Sequence, residues 1–414
     1  MACGRSSECC EPRNPPASPA SEDGGERGIR TLGRVSPTHA FQACSFNHSD
    51  ISPHEWTQQF TVIRRILRST RNLASLPTIH QVAKRAGVST ATVSRVLTRP
   101  DIVSPATRKK VLRAVEALGY TPNAVASNLR TLRTHKLLVT VPDISNPFFS
   151  LILQGIEDAA LRAGYSVLVG DTQHDEQREE GYARMLKRRE ADGLIFLGHR
   201  LPKEAAAMVR AASPACAPIV NGCEFSPRLG IPGVHIDNAR AAAEAMAHLY
   251  SLGHRRIGVV TGPLVSPLSR DRLHGATLQA RRAGAARGLL VVHGDFSIES
   301  GVAAGERLLK SKPAPTAVFC FNDEMAIGVL NAARQRGLAV PRDISVIGFD
   351  DIRFAQYAEP PLTTVAQPMR EIGERLVRLI LDILDGGVSN PASITLPHRL
   401  VLRATTGPVR RGRL

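Results

Sequence analysis

Beyond Arg133 the chain alternates short, continuously apolar runs with amphipathic stretches of helical period. The runs are KLLVTVPD (136–143), YSVLVGD (165–171), DGLIFLG (192–198), APIVNG, GVHID, RIGVVTGP, TAVFCFND and ISVIGFDD. Between them apolar residues recur at helical spacing near 148–163, 176–189, 238–252, 270–284 and 323–336. A strand that is apolar on both faces is covered on both faces, so the pattern predicts parallel sheets clad by helices. Ligands of such sheets lie beyond the carboxyl ends of the strands. Those are the places where this chain puts Asp, Asn, Arg and Gly.

The stretch from Thr78 to Gly119 has a different texture, with helical periods only. Thr78 with Gln81 three residues on makes a capping box, and Ile79, Val82, Ala83 and Ala86 give one apolar face. Gly87 suits a left-handed stop. Ser89 then caps a second helix that turns Val93, Val96 and Leu97 inward and presents Thr90, Ala91, Ser94 and Arg95 outward. A third helix starts at Ser104-Pro105, where the missing proline amide is harmless, and carries Val111, Val115 and Leu118 to Gly119. Short polar side chains at a helix start, with an arginine one turn on, suit the DNA major groove.

Charge strengthens that reading. Residues 77–136 hold 11 Lys+Arg against 2 Asp+Glu, so they carry +9 of the formal +16. Such a surface gains from counterion release on a polyanion. A solvent-facing helical hairpin is the bland alternative. The 414 residues and 43% hydrophobic content allow two or three domains with a large core. No apolar run approaches the roughly 20 residues of a membrane span, and the N-terminus lacks a signal-peptide plan, so a cytoplasmic protein is expected. Seven cysteines without metal or redox spacing read as reduced thiols, and neither metal nor cofactor is expected.

The segment TIHQVAKRAGVSTATVSRVLTRPDIVSPATRKKVLRAVEALGYTPNAVASNLR resembles the DNA-binding head of the lactose-repressor (LacI) family. The resemblance implies that Thr90 and Ala91 meet base edges, that Arg95 serves a base or phosphate, and that Thr78, Ser89, Thr92 and Ser94 position the helix. It also implies a hinge helix starting at Tyr120-Thr121-Pro122-Asn123, with Ala126 and Leu129 facing the minor groove, where a leucine wedge kinks the duplex. The expected fold is an all-α helix-turn-helix DNA-binding head plus an α/β two-lobed effector domain with parallel sheets, similar to periplasmic sugar-binding proteins. The expected domains are 77–121 for the head, 122–134 for the hinge and linker, and 135–414 for effector binding and dimerisation. The implied lobes are about 135–235 with a return near 367–390, and about 236–366 with the C-terminal strand.

VPDISNPFFS, LGHRLP, NGCEFSP, VHIDN, GHRRIG, GDFS, TAVFC and PPLTTVAQP are similar to the cytidine-responding branch of the family. The implied partners are double-stranded operator DNA, a nucleoside effector such as cytidine, a second copy of the chain, and an activator protein on the same promoter. The implied effector residues are Asn146, Phe148, Phe149, Asp171, Asn221, Glu224, Asn238, Arg270, Asn322, Asp350 and Gln367. The alternatives are a sugar- or purine-responsive repressor of the same family, or a solute-binding protein. An enzyme is not expected, since no nucleotide-binding glycine loop, nucleophile elbow or metal-suited aspartate cluster is found.

Residues 1–76 fit none of this. The first 50 are rich in Pro, Ser, Gly, Arg and Cys with little apolar periodicity, which predicts disorder. Residues 25–54 resemble the peptide obtained when a transfer-RNA gene is translated, so a gene start placed too early is expected, with a basic DNA-contacting arm as the competing reading.

Overall fold

The structure is a computed structural model that describes residues 77–121, 128, 132–212, 216–386 and 392–410. Residues 1–76, Asn123, Ala126 and Leu129 lie outside the described residues. The chain divides into two compact units, Met1–Thr121 and Pro122–Leu414.

Among the described residues the first unit has three α-helices, α1 (Ile79–Ala86), α2 (Thr90–Thr98) and α3 (Pro105–Leu118). The capping box at Thr78 forms as the spacing predicts, with the Gln81 amide donating to the Thr78 hydroxyl at 3.4 Å and the Thr78 amide donating to Gln81 Oε1 at 2.8 Å. Gly87 ends α1 at φ 66°, a left-handed geometry that favours glycine. Val82, Ala83, Val93, Val96, Val111 and Ala114 form the buried centre, and Ile79, Leu97, Val115 and Leu118 pack around it.

Among its described residues the second unit holds two six-stranded sheets, ordered β11-β5-β4-β3-β1-β2 and β12-β10-β9-β8-β6-β7. The first sheet takes β1 (Lys136–Val141), β2 (Ser166–Asp171), β3 (Gly193–Phe196), β4 (Ile219–Gly222), β5 (Gly233–Ile236) and β11 (Ile394–Leu396). The second takes β6 (Ile257–Thr261), β7 (Leu289–His293), β8 (Ala317–Cys320), β9 (Ser345–Asp350), β10 (Thr363–Ala366) and β12 (Arg399–Val401). All pairings are parallel except β10 with β12. The sheets are parallel as expected, with the C-terminal strand β12 added antiparallel beside β10.

Helices α4 (Pro147–Arg162), α5 (Glu176–Lys187), α6 (Lys203–Ala212) and α11 (Met369–Leu384) accompany the first sheet; α7 (Asn238–Ser251), α8 (Pro267–Arg282), α9 (Ile298–Lys310) and α10 (Asp323–Gln335) accompany the second. Strands β7, β10 and β11 and helices α6 and α9 were not foreseen; β12 is the expected C-terminal strand, and the expected return near 367–390 is helix α11. β7 and β11 are edge strands, whereas β10 is a four-residue buried strand inside its sheet. The chain passes from the first lobe to the second after β5, returns after β10, and crosses once more between β11 and β12. Crossings at the strand ends place a cleft between the lobes. Among the described residues no helix is long and apolar enough to cross a membrane.

Candidate functional site

In the first unit the exposed side of α2 presents Ala91 and Arg95, with Thr90, Thr92 and Ser94 half-buried beside them. Ser89 caps the helix, accepting from the Thr92 amide at 3.2 Å, and its hydroxyl lies 2.9 Å from that of Thr92. No acidic residue occupies the first turn of α2, and Lys84, Arg85 and Arg99 are exposed nearby. A helix start with free polar tips, positive dipole end and flanking cations suits phosphates and base edges.

In the second unit a cleft of about 530 Å³ opens between the lobes, within the roughly 300–1,000 Å³ range of small-molecule sites. Among its buried polar lining groups is Asp350, at the end of β9 and 5% exposed. The backbone is strained there: Asp350 has φ 111° and Asp351 φ 59°. Asp323, fully buried at the start of α10, holds this corner by accepting from the Ile352 amide at 2.9 Å and the Thr364 hydroxyl at 2.5 Å. Arg403 pairs with Asp351 at 2.6 Å. Burial, aided by the Asp350 charge, pushes the Asp323 carboxyl well above its ordinary range.

Arg272 lies beside Asp350. Its guanidinium stacks 3.6 Å over the Phe349 ring, its Nε donates to Asn238 Oδ1 at 2.8 Å, its Nη1 donates to the Phe321 carbonyl, and its Nη2 sits 3.8 Å from Asp350. Burial lowers the Arg272 pKa, while the charges of Asp350 and Glu224 pull it back. Glu224 follows β4 on the first lobe and accepts from the Ser266 hydroxyl of the second lobe at 2.7 and 2.9 Å, a clasp across the cleft. Burial pushes both Glu224 and Asp350 up to about 7, against the Arg272 charge.

The walls are aromatic. Phe148 and Phe149 follow Asn146, which caps α4, and their rings meet edge-on at 5.2 Å. From the other lobe comes Phe296, seated over Gly262 so closely that a Cβ there would lie 2.1 Å from its ring. Its carbonyl accepts from Asn322 Nδ2 at 2.8 Å, while Asn322 Oδ1 caps α10.

Of the residues expected at the effector site, Asn146, Phe148, Phe149, Glu224, Asn322 and Asp350 line this cleft. Five do not. Asp171 accepts from the Ile144 amide at 3.2 Å and so braces the loop before α4. Asn221 spends its amide on the Phe196 and Gly198 carbonyls. Asn238 positions Arg272. Gln367 reaches the site only through Asp350, to which its Nε2 donates at 2.7 Å. Arg270 is turned outward and donates to the Leu264 and Val265 carbonyls, so the arginine in the cleft is Arg272. Helical period carried that information: Leu268, Ser269, Arg272, Gly275, Ala276 and Ala280 are the buried positions of α8, and Arg270 falls on the other side. Phe296 was also missed; an aromatic in a loop of four residues between β7 and α9 was its signal.

Two family models match the chain: bacterial regulatory proteins of the lacI family over residues 78–123, and a periplasmic binding protein-like domain over residues 246–406. The transcriptional repressor CytR of Escherichia coli K12 is 43% identical over 330 residues, covering 80% of this chain and 96% of the relative. The crystal structure of the lac repressor dimer bound to operator and the anti-inducer ONPF superposes with a TM-score of 0.73 at 30% identity, over 80% of this chain and all of that one. A LacI family transcriptional regulator from Enterococcus faecium with bound ribose gives 0.60 at 30% identity, over 66% of this chain and all of that one.

Proposed function

The chain belongs to the lacI family of bacterial regulatory proteins, and we propose that the effector controlling it is a nucleoside, with cytidine first among candidates. It is a DNA-binding transcriptional regulator of the repressor type, not an enzyme. Its setting is the cytoplasm, where the operator is.

The observation that carries the effector reading is the pairing, in one cavity, of the Asp350 carboxylate with three phenylalanine rings. A carboxylate at the cleft floor accepts two hydrogen bonds from a vicinal diol such as that of ribose, and the rings offer a flat apolar platform to a base. The resemblance of VPDISNPFFS and NGCEFSP to the cytidine-responding branch, and the bound ribose of the Enterococcus relative, support the same reading.

The operator reading follows the arrangement of the lac repressor dimer. A dimer sets two α2 helices about one DNA turn apart or more on a palindrome. Effector changes operator affinity only through its different affinity for the two lobe arrangements. Calorimetric titration with cytidine, adenosine, guanine and ribose tests the proposal. Micromolar cytidine binding that Asp350→Ala abolishes supports it; binding of ribose or of a purine base alone keeps the family and overturns the nucleoside.

A further inference from the structure

Four helices of the second unit begin at the cleft. The residues at or beside the starts of α4 (Asn146, Phe148), α8 (Leu268), α9 (Ser297, Ile298) and α10 (Asn322) all line it. Left alone, converging helix starts make an anion site, because unpaired amides and the positive dipole ends point at the ligand. Here the chain has filled those positions itself.

At α8, Ser266 is the cap, Pro267 removes one amide, and the Glu224 carboxylate takes the Ser266 hydroxyl and a backbone hydrogen bond from Leu268. At α9 the Ser297 cap satisfies the Ser300 amide at 3.1 Å, and the Ser297 amide and hydroxyl both donate to Asp295. Glu299 stands in its first turn. At α10, Asn322 caps the helix and Asp323 and Glu324 occupy the first turn. At α4, Asn146 takes the Phe148 amide and Pro147 has none to offer, while the Ser145 amide and hydroxyl before it donate to Asp143.

Cations do not restore the balance. The lining has six carboxylates, Asp143, Glu224, Asp295, Glu299, Glu324 and Asp350, against Arg272, with His174 besides. Arg272 donates through Nε to Asn238 and through Nη1 to the Phe321 carbonyl, and its Nη2 sits 3.8 Å from Asp350, so its charge is already paired inside the cleft. The crowding is felt across the cleft: burial first, then Asp143 on the facing lobe and Glu299, push Glu324 up to about 7.

We infer that this cleft rejects phosphate esters, taking its ligand as a free nucleoside or sugar, and that Glu299 and Glu324 at the starts of α9 and α10 set that selectivity. A phosphate entering here meets carboxylates at the helix starts where it would otherwise bind, and the one arginine among the described lining residues, Arg272, already faces Asp350. A neutral polyol meets acceptors suited to its hydroxyls. The inference rests on the reading of this cleft as the effector site, but not on the ligand being a nucleoside.

The test uses the full chain and calorimetric titration with three pairs: cytidine and its 5′-monophosphate, adenosine and its 5′-monophosphate, ribose and ribose 5-phosphate. Whichever unphosphorylated member binds, its phosphate ester is expected at least about 100-fold weaker. In the Glu299→Gln/Glu324→Gln double variant that ratio is expected to shrink about tenfold. A phosphate ester bound within threefold of its parent, or a ratio unmoved in the double variant, overturns the inference. Ribose binding with both nucleosides silent overturns the nucleoside and leaves the inference to the ribose 5-phosphate arm. Thermal melting with inorganic phosphate gives a readout that needs no organic ligand. Beyond the shift given by matched chloride, no saturable stabilisation of the wild type is expected, and a saturable one at millimolar phosphate that the double variant strengthens no further overturns it.

Discussion

Gln367 Nε2 donates to Asp350 Oδ1 at 2.7 Å, and so ties the cleft floor to the segment that carries the chain back to the first lobe. Gln367 lies between β10 and α11, and its amide also donates to the Asp350 carbonyl at 3.3 Å. A ligand that engages Asp350 therefore competes for, or reorients, the same carboxylate that anchors the return crossover.

Gln367→Ala is predicted to uncouple the two activities. Operator binding without effector should stay within about threefold of wild type, while the effector concentration for half-maximal response rises about tenfold, the loss of one hydrogen bond to a charged group. Fluorescence anisotropy on labelled operator, titrated with effector, measures both. An unchanged effector response would remove Gln367 from the coupling.

Effector binding is predicted to depend on pH through Asp350. Its carboxyl and that of Glu224 are pushed up to about 7 in the fold, mainly by burial, against roughly 4 in an unfolded chain. The folded state thus holds more protons between about pH 4 and 7, so these groups make the ligand-free domain less stable as pH rises through that window. Hydroxyl donors need the ionised form, so ligand affinity should rise over the same window, by up to about tenfold per pH unit for one group, and level off above 7. Calorimetry at pH 5.5 and 7.5 checks the sign. Asp350→Asn should flatten the profile and weaken binding about 10- to 100-fold, as expected for about 1.5–3 kcal/mol.

The two neighbouring arginines should differ sharply. Arg272→Ala removes the cation between Glu224 and Asp350 and leaves the Asn238 oxygen and the Phe321 carbonyl without their donor. Breaking a buried pair this way is expected to destabilise the domain by about 3–5 kcal/mol. Arg270→Ala removes exposed hydrogen bonds to two carbonyls and should change stability by less than about 1 kcal/mol. Urea unfolding of both variants decides it; equal losses would mean that the buried arginine is not the one holding the floor.

Arg95 is the exposed cation on the outward side of α2. If it reads a base, Arg95→Ala should cost about 1–3 kcal/mol on operator and little on random DNA; if it holds a phosphate, both fall alike and the salt slope drops by about one. Competition binding at two salt concentrations separates the two, and no loss on either DNA would remove Arg95 from the interface.

Local signals were enough for the head and for the layout of the lobes. Thr78 with Gln81, Ser89, Ser104-Pro105 and the glycine stops act within a few residues, so the sequence alone determines where α1 to α3 begin and end. Continuous apolar runs likewise determine buried parallel strands, whichever partners they find. The cleft is another matter. Helical period in α8 separates Arg272 from Arg270, but that Arg272 meets Asn238, Phe321 and Asp350 is decided only in the fold, and Phe296 owes its place to the space over Gly262. Asp323, a plain helix-start residue in the sequence, becomes the brace of the strained Asp350–Asp351 corner only when β9 and β10 bring Ile352 and Thr364 to it. Caps and periods are set by neighbours in the chain, whereas the environment of a buried charge is set by residues tens of positions away, and only the tertiary structure brings those together.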